Sequence, residues 1–295
     1  MRRPPDALAV GLMIVLCAIW GLQQVAIKVA VPTVPAVLQA GVRSTIATVL
    51  VMLWMASRGQ PVWKRDGTQG AGLLAGLLFA GEFACVFIGL THTSASRMAV
   101  FLYTAPCFTA LGLHWFVPGE RLRKSQWVGI ALAFGGMLLA FADGLSASHT
   151  GRSTWLGDSL GILAGIFWAA TTVLVRATSL ADASPSRTLL YQLAVSSIAL
   201  LALAGVDGHW RIQALPPLVV ASILYQAAVV AFISYLAWFW LLTRYMASRL
   251  SVFSFLTPLF GVSFGVLLLG DQIGPRFLGA SAMVLTGIAL VNLRR

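Results

Sequence analysis

Ala95–Pro106 reads ASRMAVFLYTAP, and Ala247–Pro258 reads ASRLSVFSFLTP. Six positions are identical at a constant separation of 152 residues: Ala95/Ala247, Ser96/Ser248, Arg97/Arg249, Val100/Val252, Phe101/Phe253 and Pro106/Pro258. Apolar periodicity asks only for similar residues, so the identities point to an internal duplication. Each copy enters an apolar run through a Ser-Arg step and carries a proline within it. A mid-helix proline removes a backbone donor and kinks the helix. In lipid such a kink is tolerated where neighbours or a cavity re-satisfy the freed carbonyl. Interrupted helices at matching places in two halves point to a transport site.

The duplication runs further. Trp20 and Lys28 match Trp168 and Arg176 at a separation of 148, and Ser44 and Ile46 match Ser196 and Ile198 at 152. The difference fits a longer loop after the sixth helix. The 295 residues are 59% hydrophobic and only 10% charged, whereas a soluble domain is about a quarter charged. An integral membrane protein follows. The apolar runs are too long for β-barrel alternation. Ala7–Ile27 carries no charge over 21 residues and reads as a retained helix rather than a signal peptide. Further spans are expected at about Ala36–Ser57, Gly70–Thr91, Met98–Phe116, Ser125–Ala142, Ser159–Val175, Thr188–Val206, Leu218–Leu242, Leu250–Leu269 and Pro275–Leu293. The fold class expected is therefore all-α, with ten transmembrane helices in two five-helix repeats. The repeats are expected at 1–143 and 159–295, joined by a polar connector at 144–158.

Five is odd, so tandem copies enter the membrane from opposite sides, as an inverted repeat. Of the 20 Lys and Arg, fourteen fall on the side of the N-terminus, five on the other, and Arg43 lies within a span. The positive-inside rule then places both termini in the cytoplasm. Topology accounts for the net charge of +11, so nucleic acid is not an expected partner. Cys17, Cys85 and Cys107 lie in apolar runs without a CxxC or His partner. They read as packing residues, and neither a metal nor a cofactor is expected. No Walker sequence is present, so ATP drive within the chain is not expected.

Ala18-Ile19-Trp20-Gly21, Thr93-Ser94-Ala95-Ser96-Arg97, Pro106, Gly119-Glu120-Arg121 and Gln126-Trp127-Val128-Gly129 together resemble the repeat of the EamA family of the drug/metabolite transporter superfamily. The second copy departs from it, with Trp168-Ala169 and Gly270-Asp271 in place of Trp20-Gly21 and Gly119-Glu120. Within the superfamily the chain is similar to the YddG-type exporters of aromatic and other amino acids. The resemblance implies a central cavity between two inverted five-helix halves, in a secondary transporter of the bacterial inner membrane that exports aromatic and other neutral amino acids and related small metabolites, with no enzymatic activity. Efflux of organic cations is the alternative; an intramembrane enzyme and a non-transporting subunit are more distant ones. The chain is expected to work as a monomer in the bilayer, a dimer being left open.

Arg43 and Glu82 each place one charge near the middle of a span. Such residues are costly in the bilayer centre and face the protein interior or a water-filled cavity. They either meet a substrate, Arg43 its carboxylate and Glu82 an amino group or a proton, or pair with each other or with helix ends. Gln24, Thr171 and their neighbours Gln23 and Thr172 give the first and sixth helices a polar stripe beyond Trp20 and Trp168. Tyr103, Tyr191, Tyr235 and Trp238 lie on other candidate cavity helices. The expected substrate site is therefore Trp20, Gln24, Arg43, Glu82, Tyr103, Trp168, Thr171, Tyr191, Tyr235 and Trp238, with Pro106 and Pro258 as hinges. Arg97 and Arg249 are expected to reach the interface or loop carbonyls. Trp63, Trp115, Trp127, Trp155 and Trp210 fit interfacial belts. Gly157, Gly161, Gly165 and Ala169 form a ladder of small residues that lets another helix approach.

Overall fold

The computed structural model describes residues 2–63, 66–90, 92–93, 95–142, 154–206, 212, 215–269 and 276–293. Most of the polar connector and Trp210 lie outside the described residues. The described chain is helical and contains no strand. Helix α1 spans Ala7–Ala30, α2 Ala36–Ser57 and α3 Gln69–Leu90. Helix α4 consists of Ala95–Leu102 and Ala105–Phe116, and α5 spans Lys124–Ala140. The second half repeats the order with α6 (Thr154–Ala177), α7 (Pro185–Val206) and α8 (Pro217–Arg244). Helix α9 runs from Ala247 to Leu269 in three segments, and α10 spans Arg276–Asn292. Eight of these spans are long and apolar enough to cross a membrane. The two 17-residue helices α5 and α10 pack along each other and complete ten. At 1.5 Å per residue each still covers about 25 Å.

Local chemistry sets the starts. Asp6 caps α1 by accepting from the Ala9 N–H at 3.0 Å. Pro185 and Pro217 open α7 and α8, where a missing N–H is one of the orphans anyway. Helix α6 begins five residues before the expected Ser159, because Trp155, Leu156 and Gly157 extend its apolar run. The extra residues before α7 form the 3₁₀ turn Ser179–Asp182 and an added helical turn.

Both proline helices are interrupted just N-terminal to the proline. In α4 the break is a turn at Tyr103–Thr104; in α9 it is the 3₁₀ segment Ser251–Phe255. Proline cannot bond the carbonyl four residues back and its ring clashes with it, so the preceding turn distorts. Each break is covered by the first helix of the other repeat. Gly165 of α6 lies where an added Cβ would meet Thr104 Oγ1 at 2.7 Å and Leu102 O at 2.9 Å. At α9, the Cys17 thiol of α1 donates to Phe253 O at 3.2 Å.

The packing comes in symmetric pairs. Helix α3 lies on α6 as α8 lies on α1; α4 lies on α6 as α9 lies on α1; α3 lies on α7 as α8 lies on α2. The result is two bundles, α3–α4–α6–α7 and α8–α9–α1–α2, each drawn from both repeats. They are joined along α2·α7, while α5 and α10 pair with each other outside them. The Thr45 and Ser197 hydroxyls are 2.6 Å apart, and the two residues are 152 positions apart, the repeat separation itself. The pseudo-two-fold axis therefore passes between them. Helix starts and ends also sort into two faces. Gln126 donates to Val291 O at 2.8 Å, Arg3 N donates to Arg244 O at 3.2 Å, and the nearby Ala247 N–H donates to Glu120 in the connection that leads to Gln126, so the two ends of the described chain lie on one face, called here the terminal face.

Candidate functional site

The space between the two bundles is bridged by aromatic rings. Trp20 of α1 stands edge-on to Tyr235 and Trp238 of α8, at 6.3 and 6.0 Å between centroids. Tyr235 crosses Phe79 of α3 at 6.0 Å and 89°, and Phe79 meets Phe83 at 5.0 Å. The Arg43 guanidinium of α2 lies 4.4 Å over the Phe83 ring. Tyr103, at the break in α4, meets Trp168 of α6 at 5.7 Å. Edge-to-face geometry sets the positive rim of one ring against the negative face of the next. Here it runs from α1 and α8 to α3, and the Arg43 guanidinium over Phe83 carries the path to α2.

The polar groups are held from different sides. Trp20 Nε1 donates to Ser234 Oγ at 2.8 Å, and Ser234 donates in turn to Val230 O at 2.6 Å. Ser234 ends Tyr225–Ser234, a π-helical stretch of α8; such widened turns recur at functional sites. Arg43 is 2% exposed. Its Nε is buried without a hydrogen-bond partner, and no ion pair of 4 Å or less joins it to Glu82 among the described residues. It nevertheless lies within electrostatic reach of Glu82 and Tyr235. Tyr103 is within the same reach of Glu82 and Tyr235.

The structure thus brings together Trp20, Arg43, Glu82, Tyr103, Trp168, Tyr235 and Trp238. Thr171 is buried on α6, but its hydroxyl donates to Phe167 O of its own helix at 2.8 Å. Gln24 is exposed one turn beyond Trp20, beside Gly261. Tyr191 stands apart: its hydroxyl is 3.0 Å from Thr68 Oγ1 at the start of α3, and its ring fills the space beside Gly72. Pro106 and Pro258 are both buried and sit beyond their breaks. Arg97 forms an ion pair with Asp158 instead of meeting loop carbonyls alone. His114 Nδ1 accepts from Leu122 N at 3.1 Å. Trp63, Trp115 and Trp155 are exposed, as belt residues are.

Three further residues belong to the candidate site without having been expected there. Phe79 and Phe83 lie on either side of Glu82 and four residues apart, at helical spacing, and Ser234 occupies the position of Glu82 in the second repeat. Glu120, expected only as part of the Gly119-Glu120-Arg121 motif, has its carboxylate buried between α6 and the start of α9.

The chain matches the model of the EamA-like transporter family twice, over residues 7–142 and 155–293. It is 28% identical over 296 residues to a protein of Escherichia coli described as a probable amino-acid metabolite efflux pump, covering 98% of this chain and 94% of that one. A protein of Salmonella typhimurium with the same description is 26% identical over 286 residues, 94% of this chain and 92% of its own. One solved crystal structure superposes with a TM-score of 0.81 over 98% of this chain and 99% of that one, at 17% identity. Two family matches laid end to end, on a chain whose helices pair about a two-fold axis, leave one conclusion: it belongs to the EamA-like transporter family.

Proposed function

We propose that the chain is a secondary transporter that exports amino acids, aromatic and other neutral ones, and related small metabolites by alternating access. In this reading residues 1–143 and 159–295 are the two inverted repeats, 144–158 joins them on the outside, and both termini lie in the cytoplasm of a bacterial cell. The chain performs no chemistry on its cargo. The observation that carries the reading is Arg43. A buried guanidinium with an unpartnered Nε, not ion-paired to the nearby carboxylate, calls for an acceptor from elsewhere. A cargo carboxylate supplies one, and the planar fork of arginine suits two oxygens. Glu82 answers the ammonium, and the rings of Trp20, Phe79, Tyr235 and Trp238 answer an apolar side chain. The descriptions of the Escherichia coli and Salmonella typhimurium relatives support the same cargo class.

Purified protein in liposomes, loaded with unlabelled solute, tests the reading by counterflow. Labelled tryptophan, phenylalanine and leucine should accumulate and a quaternary ammonium ion should not. Accumulation of the cation alone would favour organic-cation efflux; accumulation of neither would refute the cargo assignment. A cysteine introduced at Ser148, outside the described residues, should react with an impermeant thiol reagent only from the periplasmic side.

A further inference from the structure

Glu120 sits in the short connection between α4 and α5, yet it is 1% exposed. Its carboxylate bonds run to the second repeat. It accepts from Arg176 at the end of α6 at 2.8 Å. It also accepts from the backbone N–H groups of Ala247 and Ser248 at 2.9 and 3.1 Å, and from Ser248 Oγ at 2.6 Å. Arg176 belongs to the same bundle as α4, whereas Ala247 and Ser248 open α9, in the other bundle. One carboxylate therefore joins the bundles on the terminal face, held by a cation on one side and capping the partner's broken helix on the other. The anion also complements the positive end of that helix. The Arg97–Asp158 pair on the opposite face is different in kind, since α4 and α6 lie in one bundle.

We infer that Glu120 is the latch that closes the terminal face, and that opening this face for transport requires the Ala247 and Ser248 bonds to Glu120 to break. A buried charge network is stable while dry and expensive to leave half-satisfied. Water entering the gap can solvate the carboxylate and the freed N–H groups together, which makes the arrangement two-state. The capped segment leads directly into the 3₁₀ stretch before Pro258, so release of the cap frees the interrupted part of α9. The latch rests on the alternating-access reading above.

The test needs no solute, so its failure is distinguishable from failure of the cargo assignment. Ser251, buried one turn below the cap, is replaced by cysteine in a background lacking Cys17, Cys85 and Cys107. Labelling by an impermeant maleimide is timed from the terminal face in oriented vesicles. Glu120→Gln should speed labelling about tenfold, the effect of weakening one bond to a charged group, while labelling from the opposite face should not rise. Ser248→Ala, which removes one of the four bonds and leaves the ion pair, should speed it less and in the same direction. This second variant keeps the test decisive if Glu120→Gln fails to fold. Unchanged labelling in both variants, each purified as a monodisperse protein, overturns the latch. So does Ser248→Ala labelling unchanged when it alone folds.

Discussion

Gly165→Ala sets two effects against each other. Replacing glycine by alanine inside a helix ordinarily gains about 1 kcal/mol. At Gly165 the added Cβ would sit 2.7 Å from Thr104 Oγ1, 2.9 Å from Leu102 O and 3.3 Å from Ala105 N. Leu102 O and Ala105 N are backbone atoms at the α4 break, so neither can simply swing aside. Overpacking of this kind costs about 1–3 kcal/mol. The clash should therefore win by about 1 kcal/mol, which lowers the Tm by about 2–4 °C for a chain of this order of size. Gly11 and Gly279 have nothing within 4 Å of an added Cβ, and Gly11→Ala and Gly279→Ala should show the gain alone. Tryptophan fluorescence during heating in one detergent gives all three values. Transport by Gly165→Ala should also slow, because the substitution pushes on the turn that carries Tyr103. A Gly165→Ala protein at or above the parent Tm, alongside a stabilised Gly11→Ala, would refute the close approach and the reasoning built on it.

Arg43→Lys keeps the charge but loses the planar fork, and should weaken cargo binding by about 1–2 kcal/mol, the scale of one charge-assisted bond; equilibrium binding measures it. Because no ion pair joins Arg43 to Glu82, the double variant Arg43→Gln, Glu82→Gln should transport no better than the worse single one, and near-parental uptake would reassign the two to mutual locking. Pro106→Ala restores a donor at the α4 break and should reduce the transport rate more than expression; quantified uptake per mole of protein decides it. The Ala9 amide, aided by the Tyr245 hydroxyl and Arg3, holds the Asp6 carboxyl below its ordinary value. A depressed folded-state pKa means that its stabilisation is fully present above the unfolded value of about 3.9 and is lost as pH falls through the folded one. Stability should therefore lose this contribution only on acidification below about pH 4, and Asp6→Ala should remove that part of the acid limb in a Tm-against-pH series.

The helices were legible because lipid demands long apolar runs, and the repeat was legible because Ala95–Pro106 and Ala247–Pro258 kept six identities. The breaks were legible too, since proline acts on its own helix. Less of the site was. Tyr191 looked like a cavity residue from its place in the seventh span, but contact with Thr68 and Gly72 is a tertiary fact that periodicity does not carry. The ring path through Phe79 and Phe83 depends on how α3 is rotated about its axis, which an all-round apolar helix does not reveal. Glu120 stands in a short connection beside Arg121 and Arg123, where charge normally means solvent; only the return of α9 to the α4–α5 connection buries it.

The contact between Thr45 and Ser197 has a consequence for how such a chain can be assembled. A residue that meets its own equivalent is the mark of an isologous interface, the kind that two copies of one subunit make about a two-fold axis. Here the axis lies in the membrane plane, so the two copies are upside down relative to each other. A five-helix chain could form this interface by itself only if it inserted in both orientations. Joining the copies end to end assigns each its orientation once, at synthesis, and frees the two to diverge. Arg43 and Glu82 stand on one side of the axis opposite Val195 and Ser234 on the other, so the fused protein has two different walls where a symmetric pair could only have the same wall twice.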